Sequence, residues 1–533
     1  MVKNLITSNL NFCENILNSY KKRNSRRKKG IRTQPRILAE RSQIQVRSAD
    51  TALQFPSRFC LINVHKLLIA VKNLERRRIY MYKYMCYEDL PKLRLPKGQE
   101  VFISDSTLRD GSQMPGVTMK LKDKLQIFEY LRRIGVEKLE VFLYTENDRK
   151  AARSMIERGY EKPIVTGWSR AKPSDIDQVL KMDGIGETGI LMSISDSHIL
   201  TKMGLKDREA AEEIYLGALD YALDHGLRTR AHLEDITRSD LHGFVYPLVS
   251  KIVERDPHCT IRLCDTVGFG VPFYDPNDSY SMPQIVSKMI DLGVKNIETH
   301  IHDDFGLAMA NTLAGFWHGA NWSSLTFLGI GERSGNCELE KVLVFLSQRI
   351  EGFQKYDLSS LTEFALYIEE NLGIRVPPNK AVVGKNVFAH ESGIHTAGII
   401  KNPFIYEPFS PELVGGRREI LIGSSSGREV VRFKVEEALF ELSGRKVILE
   451  KSDRRVTAIY SLIKKLYEAE ERVSCISDEE ISRLVGRFWQ DRSILDYEQK
   501  AWGEGLVPSG SQSNNEVEGN DQGGRIFDLR SIC

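Results

Sequence analysis

The sequence lacks the paired cysteines that mark a disulfide framework or a zinc ribbon. Its eight cysteines are scattered over 533 residues, and no two of them form a Cys-x-x-Cys pair. Small secreted domains and structural zinc sites are both recognised by close, regular cysteine spacing. The pattern therefore excludes both classes and indicates a reducing compartment, so we expect a soluble, cytoplasmic protein.

Long apolar runs and a glycine-rich nucleotide fingerprint are also missing. The best apolar run, residues 59–71, is interrupted by His65 and Lys66 and is shorter than the roughly 18–20 residues that a membrane span requires. No Gly-x-Gly-x-x-Gly pattern follows the first β-rich run, which argues against a dinucleotide-binding domain. We expect no membrane partner.

Positive charge is concentrated at the N-terminus. Residues 1–80 hold 18 Lys and Arg against four Asp and Glu, although the whole chain carries a net charge of only +3. A nucleic-acid or membrane-surface arm and an Arg-rich transit peptide are functional interpretations. A solvated extension, or a native start at Met81 or Met85, is the simpler one, because basic runs alone are weak signals. We place residues 1–90 outside the core and expect no nucleic-acid partner.

From residue 101 the sequence alternates between short β-rich runs and longer amphipathic segments. The strands are predicted near residues 101–105, 137–142, 163–168, 187–194, 228–233, 259–265, 295–302 and 324–329, and a helical pattern follows each of them. Eight such units in about 250 residues are typical of a (β/α)8 TIM barrel. We therefore predict an α/β fold with a barrel domain at residues 98–355. Small subdomains at 356–440, a helical region at 441–502 and a disordered tail at 503–533 are expected to follow.

His300 and His302 lie two residues apart on the seventh predicted strand. Alternate side chains of a strand emerge on the same face, so the two imidazoles can grip one ion. Asp110, after the first strand, could complete a site with open positions, as catalytic metal sites require. For an isolated pair, two partly buried histidines at a strand end would be an equally good interpretation.

Other polar residues also fall where predicted strands end, which is where TIM-barrel enzymes place their chemistry. They include Arg109, Glu140, Arg170, Arg230, His232, Glu234, Thr266 and Asn336. A ring of such residues is difficult to explain by packing alone. Arg109 beside a metal could stabilise a developing alkoxide, although Arg-Asp-Gly by itself is a common turn.

Residues from about 98 to 440 resemble the metal-dependent Claisen-condensing acyltransferases, the family of isopropylmalate, homocitrate, citramalate and Re-citrate synthases. The matching segments are DSTLRDGSQ (105–113), KLEVF around Glu140, HLEDITRSD (232–240), CDTVGFGVP (264–272), HIHDDFGLAMAN (300–311), GIGERSGN (329–336) and HESGIHTAG (390–398). The resemblance implies a divalent ion, Mn²⁺ in preference to Mg²⁺, Co²⁺ or Zn²⁺, on Asp110, His300 and His302. Asn336 would lie in or near its coordination shell.

The resemblance also implies catalytic companions and partners. Arg109 and Glu140 would act at the barrel, while Glu391, His395 and Tyr406 would reach over it from the smaller subdomain. The substrates would be acetyl-CoA and a 2-oxo acid, and the assembly would be a homodimer. We expect His395 to take the acetyl-CoA methyl proton as base or relay, with Tyr406 as a hydrogen-bond donor.

Arg230 bears on the choice of oxo acid. It matches the place where homocitrate-type enzymes, by resemblance, carry an Arg for the distal carboxylate, whereas isopropylmalate-type relatives have an apolar residue there. A guanidinium fork suits a carboxylate and is costly to bury beside an isopropyl group. The full substrate-binding set is expected to be Gln113, Arg170, Arg230, His232, Glu234 and Thr266. We predict oxaloacetate, which gives citrate, ahead of 2-oxoglutarate and 2-oxoisovalerate.

Local likeness is mixed. The segments FLYTENDR (142–149), TGWSRAK (166–172) and ETGILMSISDSHI (187–199) are most similar to Re-citrate synthases, whereas YEPFSPELVG (406–415) is more similar to the isopropylmalate and homocitrate group. Ser112 stands where Glu is common, and Asp303 where Asn usually follows the second His. The usual histidine of strand 4 is missing near Gly189, and no leucine-binding regulatory domain is recognisable after residue 440.

Two other barrel enzymes are competing interpretations. A lyase of the hydroxymethylglutaryl-CoA type needs a cysteine in a glycine-rich loop, for which Cys337 is the only nearby candidate. A biotin-dependent carboxyltransferase needs a modified, metal-ligating lysine, and no motif for it is present. The expected smaller subdomain favours a synthase over both.

Overall fold

A computed structural model describes residues 86–275 and 280–490. The expectations for the tail at 503–533, and for nearly all of the N-terminal extension, lie outside these residues. The eight predicted strands form one closed parallel barrel in sequence order. They are β1 Phe102–Asp105, β2 Lys138–Val141, β3 Ile164–Arg170, β4 Glu187–Ser193, β5 Arg228–Glu234, β6 Thr260–Asp265, β7 Asn296–Ile301 and β8 Trp322–Leu325. The prediction of a TIM barrel is confirmed.

A helix follows each strand and covers the outside of the barrel. The helices are α1 Leu121–Ile134, α2 Glu146–Glu157, α3 Pro173–Leu180, α4 Arg208–Asp224, α5 Tyr246–Arg255, α6 Met282–Asp291, α7 Ala308–His318 and α8 Leu339–Arg349. In α1, Ile127, Leu131 and Ile134 are fully buried, at the spacing of one apolar helix face. This periodicity is the signal that predicted the helices.

The last strand is shorter than predicted. The sequence predicted extended structure over residues 324–329, but β8 ends at Leu325 and a 3-10 turn, Phe327–Gly329, follows. Leu328 and Gly329 have φ angles of 59° and 70°, and a chain in the left-handed region cannot continue a strand. The barrel closes through the parallel pairing of β1 with β8, in which Asp105 lies opposite Leu325.

The chain beyond the barrel is mainly helical, as predicted. Helix α9, Leu361–Leu372, packs on the barrel flank, where the ring of Phe364 stacks on Phe327 with centroids 3.7 Å apart. The strands β9 Ala389–His390 and β10 Glu419–Ile420 form a small parallel sheet. The other helices are α10 Gly393–Lys401, α11 Arg428–Ser443, α12 Arg454–Glu468 and α13 Asp478–Gln490.

Helices α11 to α13 enclose a second apolar core, which contains Val430, Val435, Ile459 and Val485. Ile399 of α10 belongs to the same core, so the last three helices are tied to the segment that carries His395. Within the described residues, no helix has both the length and the apolarity to cross a membrane.

Candidate active site

A cavity of about 450 Å³ opens at the carboxyl ends of the barrel strands. Nine residues of the predicted site line it: Arg109, Asp110, Gln113, Arg170, His232, Glu234, Thr266, His300 and His302. Parallel strands present all their carboxyl ends at one mouth, so residues far apart in sequence meet there. The structure therefore brings these nine residues to one cavity, and the role of each stays a prediction.

Asp110, His300 and His302 form a buried cluster whose ligand atoms all lie within 4.8 Å of one another. Nε2 of His300 lies 2.9 Å from Oδ2 of Asp110, and Nε2 of His302 lies 3.8 Å from the same oxygen. That buried oxygen has no well-aligned hydrogen-bond donor. A carboxylate oxygen and two imidazole nitrogens that converge without hydrogen bonding one another suit a shared cation.

The ionisation of the cluster suits a cation as well. Burial alone would raise the pKa of Asp110, but the positive charge of Arg109 and the contact with His300 hold that pKa below its ordinary value. Burial and the neighbouring His300 lower the pKa of His302 to about 4. The carboxyl is therefore ionised and the imidazole is neutral near neutral pH, which are the forms that bind metals.

The loop after β8 orients His302 and brings Asn336 beside it. Nδ1 of His302 lies 3.2 Å from the carbonyl oxygen of Gly335, and since a carbonyl only accepts, Nδ1 carries the proton and Nε2 faces Asp110. Gly335 has a φ of 84°, and a Cβ there would lie 1.9 Å from the carbonyl oxygen of Gly329. Asn336 donates to the carbonyl of Ile330 at 3.2 Å, while its buried Oδ1 has no partner in the described chain.

Arg109 is held at the cavity floor by Glu140. Its Nε donates to Oε1 of Glu140 at 2.7 Å, and its Nη1 lies 3.3 Å from Oδ2 of Asp110. Burial would raise the pKa of Glu140, but the guanidinium groups of Arg262 and Arg109 lower it to about 2. Glu140 therefore remains an anion that fixes the guanidinium of Arg109 beside the cluster.

Arg230 does not line the cavity, so the expectation that it meets a distal carboxylate has no support in this geometry. It is 1% exposed, and it donates to Glu140 at 3.1 Å and to Glu187 at 2.5 Å. Its Nε also lies 3.4 Å from Glu298. Alternate residues of β5 point into the barrel. Arg230 comes two residues before His232 and is therefore further from the cavity mouth, where it forms ion pairs with buried carboxylates.

The sequence did not single out several residues that line the cavity. They are Trp168, Leu191, Lys202, Cys264 and Arg333. Both Nζ contacts of Lys202 to the carboxylate of Glu234 measure 2.7 Å, and Arg333 lies 3.0 Å from Asp304. Lys202 ends the short helical segment His198–Lys202 after β4, so its position does not follow from a predicted strand end. Arg333 lies within the matched segment GERSGN, which could have identified it.

Glu391, His395 and Tyr406 are not among the described residues that line the barrel cavity. The rings of His395 and Tyr406 lie together, with centroids 4.3 Å apart. Glu391 instead accepts a hydrogen bond from Sγ of Cys475 at 3.5 Å. The structure thus pairs His395 with Tyr406 outside the barrel cavity and places Glu391 beside Cys475.

Cys337, the thiol that a lyase would require, is fully buried and does not line the cavity. Burial raises its pKa above the ordinary value. A thiol that is both protonated and enclosed cannot act on a substrate in the cavity.

Two protein-family models match this chain. Residues 100–368 match the HMGL-like family model, and residues 382–469 match the homocitrate synthase post-HMGL domain. The chain is 36% identical over 423 residues to a citrate (Re)-synthase of Clostridium kluyveri, covering 75% of this chain and 92% of that protein. It is 37% identical over 343 residues to a 2-isopropylmalate synthase of Caldanaerobacter subterraneus, covering 64% of this chain and 86% of the relative.

A homocitrate synthase of Methanopyrus kandleri is 34% identical over 410 residues, which cover 76% of this chain and 97% of the relative. These relatives carry three different synthase names, so likeness alone does not select one substrate. They agree on the class of enzyme. The chain belongs to the HMGL-like family and, within it, to the acyltransferases that include the citrate (Re)-, isopropylmalate and homocitrate synthases.

Proposed function

We propose that this protein condenses acetyl-CoA with oxaloacetate and hydrolyses the thioester, which yields citrate and CoA. The observation that carries the proposal is the convergence of Asp110, His300 and His302 within 4.8 Å, with Arg109 beside them in the cavity. Three metal-type ligands next to a fixed guanidinium suit chemistry in which negative charge develops on a ketone oxygen.

Asp110, His300 and His302 are proposed to hold a divalent ion, with Asn336 in reach of it through Oδ1. The unpartnered buried oxygens of Asp110 and Asn336 support this assignment. When bound, such an ion supplies Lewis-acid polarisation of the ketone. We propose Mn²⁺, the ion that the family resemblance implies, because the carboxylate and the open positions for water and a 2-oxo acid supply oxygen ligands that suit it.

Arg109 is proposed to stabilise the alkoxide that forms when the ketone carbon is attacked. Its guanidinium is held at 2.7 Å by Glu140, so it does not have to reorganise as charge develops. Gln113 and Thr266 line the same cavity and are proposed to hydrogen-bond the oxo acid. Glu234 is proposed to set the position of Lys202 at the rim.

The acetyl-CoA methyl group needs a base, and we propose His395 for this role. His395 takes the methyl proton, the methyl carbon then bonds to the ketone carbon, and Tyr406 donates a hydrogen bond to the thioester oxygen. Glu391, which the resemblance places among the catalytic residues, contacts Cys475 in this structure and would have to turn toward the imidazole of His395 to support it. Since these residues are not among the described residues that line the barrel cavity, we propose a homodimer in which each subdomain covers the partner's barrel.

Oxaloacetate is supported by the charge of the cavity rim. Arg170, Lys202 and Arg333 all line it, and although each is ion-paired with a carboxylate in this structure, of Asp175, Glu234 and Asp304, their donors suit a substrate with two carboxylates. The likeness to citrate (Re)-synthase over 92% of that relative points the same way. 2-Oxoglutarate, which would give homocitrate, is the next dicarboxylic candidate.

A second candidate is 2-isopropylmalate synthesis from 2-oxoisovalerate. It is favoured by the capture of Arg230 inside the barrel and by the apolar side chains of Trp168 and Leu191 in the cavity lining. Product analysis separates the candidates. The protein should be incubated with acetyl-CoA, Mn²⁺ and a mixture of the oxo acids, and the products weighed by mass spectrometry. Citrate is the expected product; isopropylmalate alone would select the second candidate and overturn the first.

We also place the protein in a reducing compartment, with the cytoplasm as the proposed location. In the described part of the chain Cys259, Cys264, Cys337 and Cys475 are free thiols, as is usual where thioredoxin and glutathione keep cysteines reduced.

A further inference from the structure

Strand β4 has a notch at Gly189 that faces the barrel interior. A Cβ built on Gly189 would lie 2.3 Å from Cε1 and 2.4 Å from Nε2 of His232, and 3.2 Å from Oε2 of Glu140. Distances below 3.0 Å are steric overlap, so no other residue fits at position 189 while the ring of His232 stays where it is. The imidazole of β5 thus crosses to the neighbouring strand and fills the notch.

His232 is enclosed in this place, and one of its ring nitrogens is left without a hydrogen bond. It is 1% exposed, and Nε2 is buried with no hydrogen-bond partner among the described residues. Oε2 of Glu140 lies 3.4 Å from Nε2. A buried polar atom left without a partner is costly, and His232 is also part of the cavity lining.

The charge state of the ring restricts what it can offer. Burial and the guanidinium groups of Arg262, Arg230 and Arg109 hold the pKa of His232 well below its ordinary value. The neutral ring carries one N–H donor and one acceptor nitrogen. The neutral ring of His232 can therefore donate a hydrogen bond to a carboxylate or carbonyl oxygen without adding a charge to the cavity.

We propose that Gly189 and His232 form a specificity-determining pair, in which the notch at Gly189 lets the imidazole of His232 cross from β5 and donate a hydrogen bond to bound 2-oxo acid. The inference rests on the proposed function, because it assigns the ring to that substrate. The ring also closes the space above β4, so it limits which oxo-acid side chain fits there. The pair acts on the oxo acid and not on acetyl-CoA.

The test compares Gly189→Ala with Gly186→Ala. Gly186 lies just before β4, and a Cβ there meets nothing within 4 Å, so it is a matched control for the loss of a glycine. In Gly189→Ala the ring must leave the notch, and the KM for the preferred oxo acid should rise about tenfold or more. The KM for acetyl-CoA and the bound metal should stay within twofold of the unchanged protein. Equal oxo-acid KM values for the two variants would contradict the proposed role of Gly189 and His232.

A second comparison separates the ring from the strand that carries it. His232→Gly should raise the oxo-acid KM by about tenfold or more, and adding Gly189→His returns an imidazole to the same space from β4. Recovery of at least half of the lost affinity, on a logarithmic scale, supports the pair. A folded, metal-loaded double variant with no recovery contradicts it.

Calorimetric measurement of oxo-acid binding distinguishes a failure of the Gly189–His232 pair from a failure of the proposed reaction. If the unchanged protein with Mn²⁺ turns over no oxo acid, the proposed reaction fails. Weaker oxo-acid binding by Gly189→Ala than by Gly186→Ala still supports the pair in that case, and equal or absent oxo-acid binding in both overturns it.

Discussion

The guanidinium of Arg230 donates to the carboxylate of Glu140 across 3.1 Å, and Glu140 in turn holds Arg109 at 2.7 Å. Glu140 also accepts from Arg262 at 2.9 Å. One buried carboxylate therefore joins the charged interior of the barrel to the floor of the cavity. Arg230 lies in the charged interior of the barrel, so we expect it to stabilise the fold and not to bind substrate.

Arg230→Met should lower the free energy of unfolding by about 3–5 kcal/mol, because it leaves the buried carboxylates of Glu187 and Glu140 short of a partner. Arg170→Met is the matched control. Arg170 is 53% exposed and pairs with Asp175, so its loss should cost about 1 kcal/mol or less. Urea unfolding measures both values. A stable Arg230→Met protein with a raised oxo-acid KM would mean that Arg230 contacts substrate after all.

Replacing a residue of the Asp110–His300–His302 cluster should remove the bound ion. His300→Ala and His302→Ala should each lower the metal content after dialysis by tenfold or more and lower kcat by at least about a hundredfold. His318→Ala is the control, since His318 contacts the carbonyl of Ala314 on α7. Elemental analysis reads out the metal, and full occupancy in His300→Ala would rule out the assigned ligands.

Glu340 should make the protein less stable as the pH rises. Burial raises the pKa of Glu340 to about 7, whereas its unfolded pKa is about 4.3. Between these values the unfolded carboxyl is ionised while the folded one stays protonated, so the folded state binds more protons and stability falls with increasing pH. This destabilisation reaches about 4 kcal/mol above pH 7.

Glu340→Gln keeps an acceptor for the backbone N–H of Leu328, which Glu340 binds at 2.9 Å, and removes the titration. Relative to the unchanged protein, the variant should gain stability between pH 5 and pH 8, measured by urea unfolding. The exposed Glu370→Gln on α9 is the control. Parallel pH profiles for the unchanged protein and Glu340→Gln would contradict the shifted pKa.

Mixed protomers should reveal whether His395 acts across a dimer. His300→Ala and His395→Ala homodimers are each expected to be inactive. A mixed dimer would combine one intact barrel with one intact subdomain, so random mixing should restore about a quarter of the activity. No recovery, with mixed dimers shown to form, would mean that His395 serves its own barrel.

The sequence predicted the barrel and most of the cavity lining because the relevant signals are local. Strand and helix periodicity place each βα unit, and the strand ends collect at one mouth, so Asp110, His300 and His302 meet as expected. The fate of Arg230 could not be predicted in this way. It depends on how high a strand residue sits in the barrel and on which distant carboxylates, Glu187 and Glu298, share that layer.

The missing histidine near Gly189 is a similar case. The sequence shows only that a family residue is absent, whereas the packing shows that the ring of His232 fills the space. A compensation between neighbouring strands is visible once the register of β4 and β5 is known, with Gly189 opposite Arg230 and Leu191 opposite His232. The position of His395 outside the barrel cavity likewise depends on how the chain after the barrel packs.

The most direct measurement is the release of CoA from acetyl-CoA by the purified, metal-free protein, with and without added Mn²⁺, for oxaloacetate, 2-oxoglutarate, 2-oxoisovalerate and pyruvate in parallel. We predict release that requires both the ion and an oxo acid, that is fastest with oxaloacetate, and that His300→Ala abolishes. CoA release that is independent of the oxo acid, or none with any of the four in the metal-loaded protein, would contradict the proposed condensation.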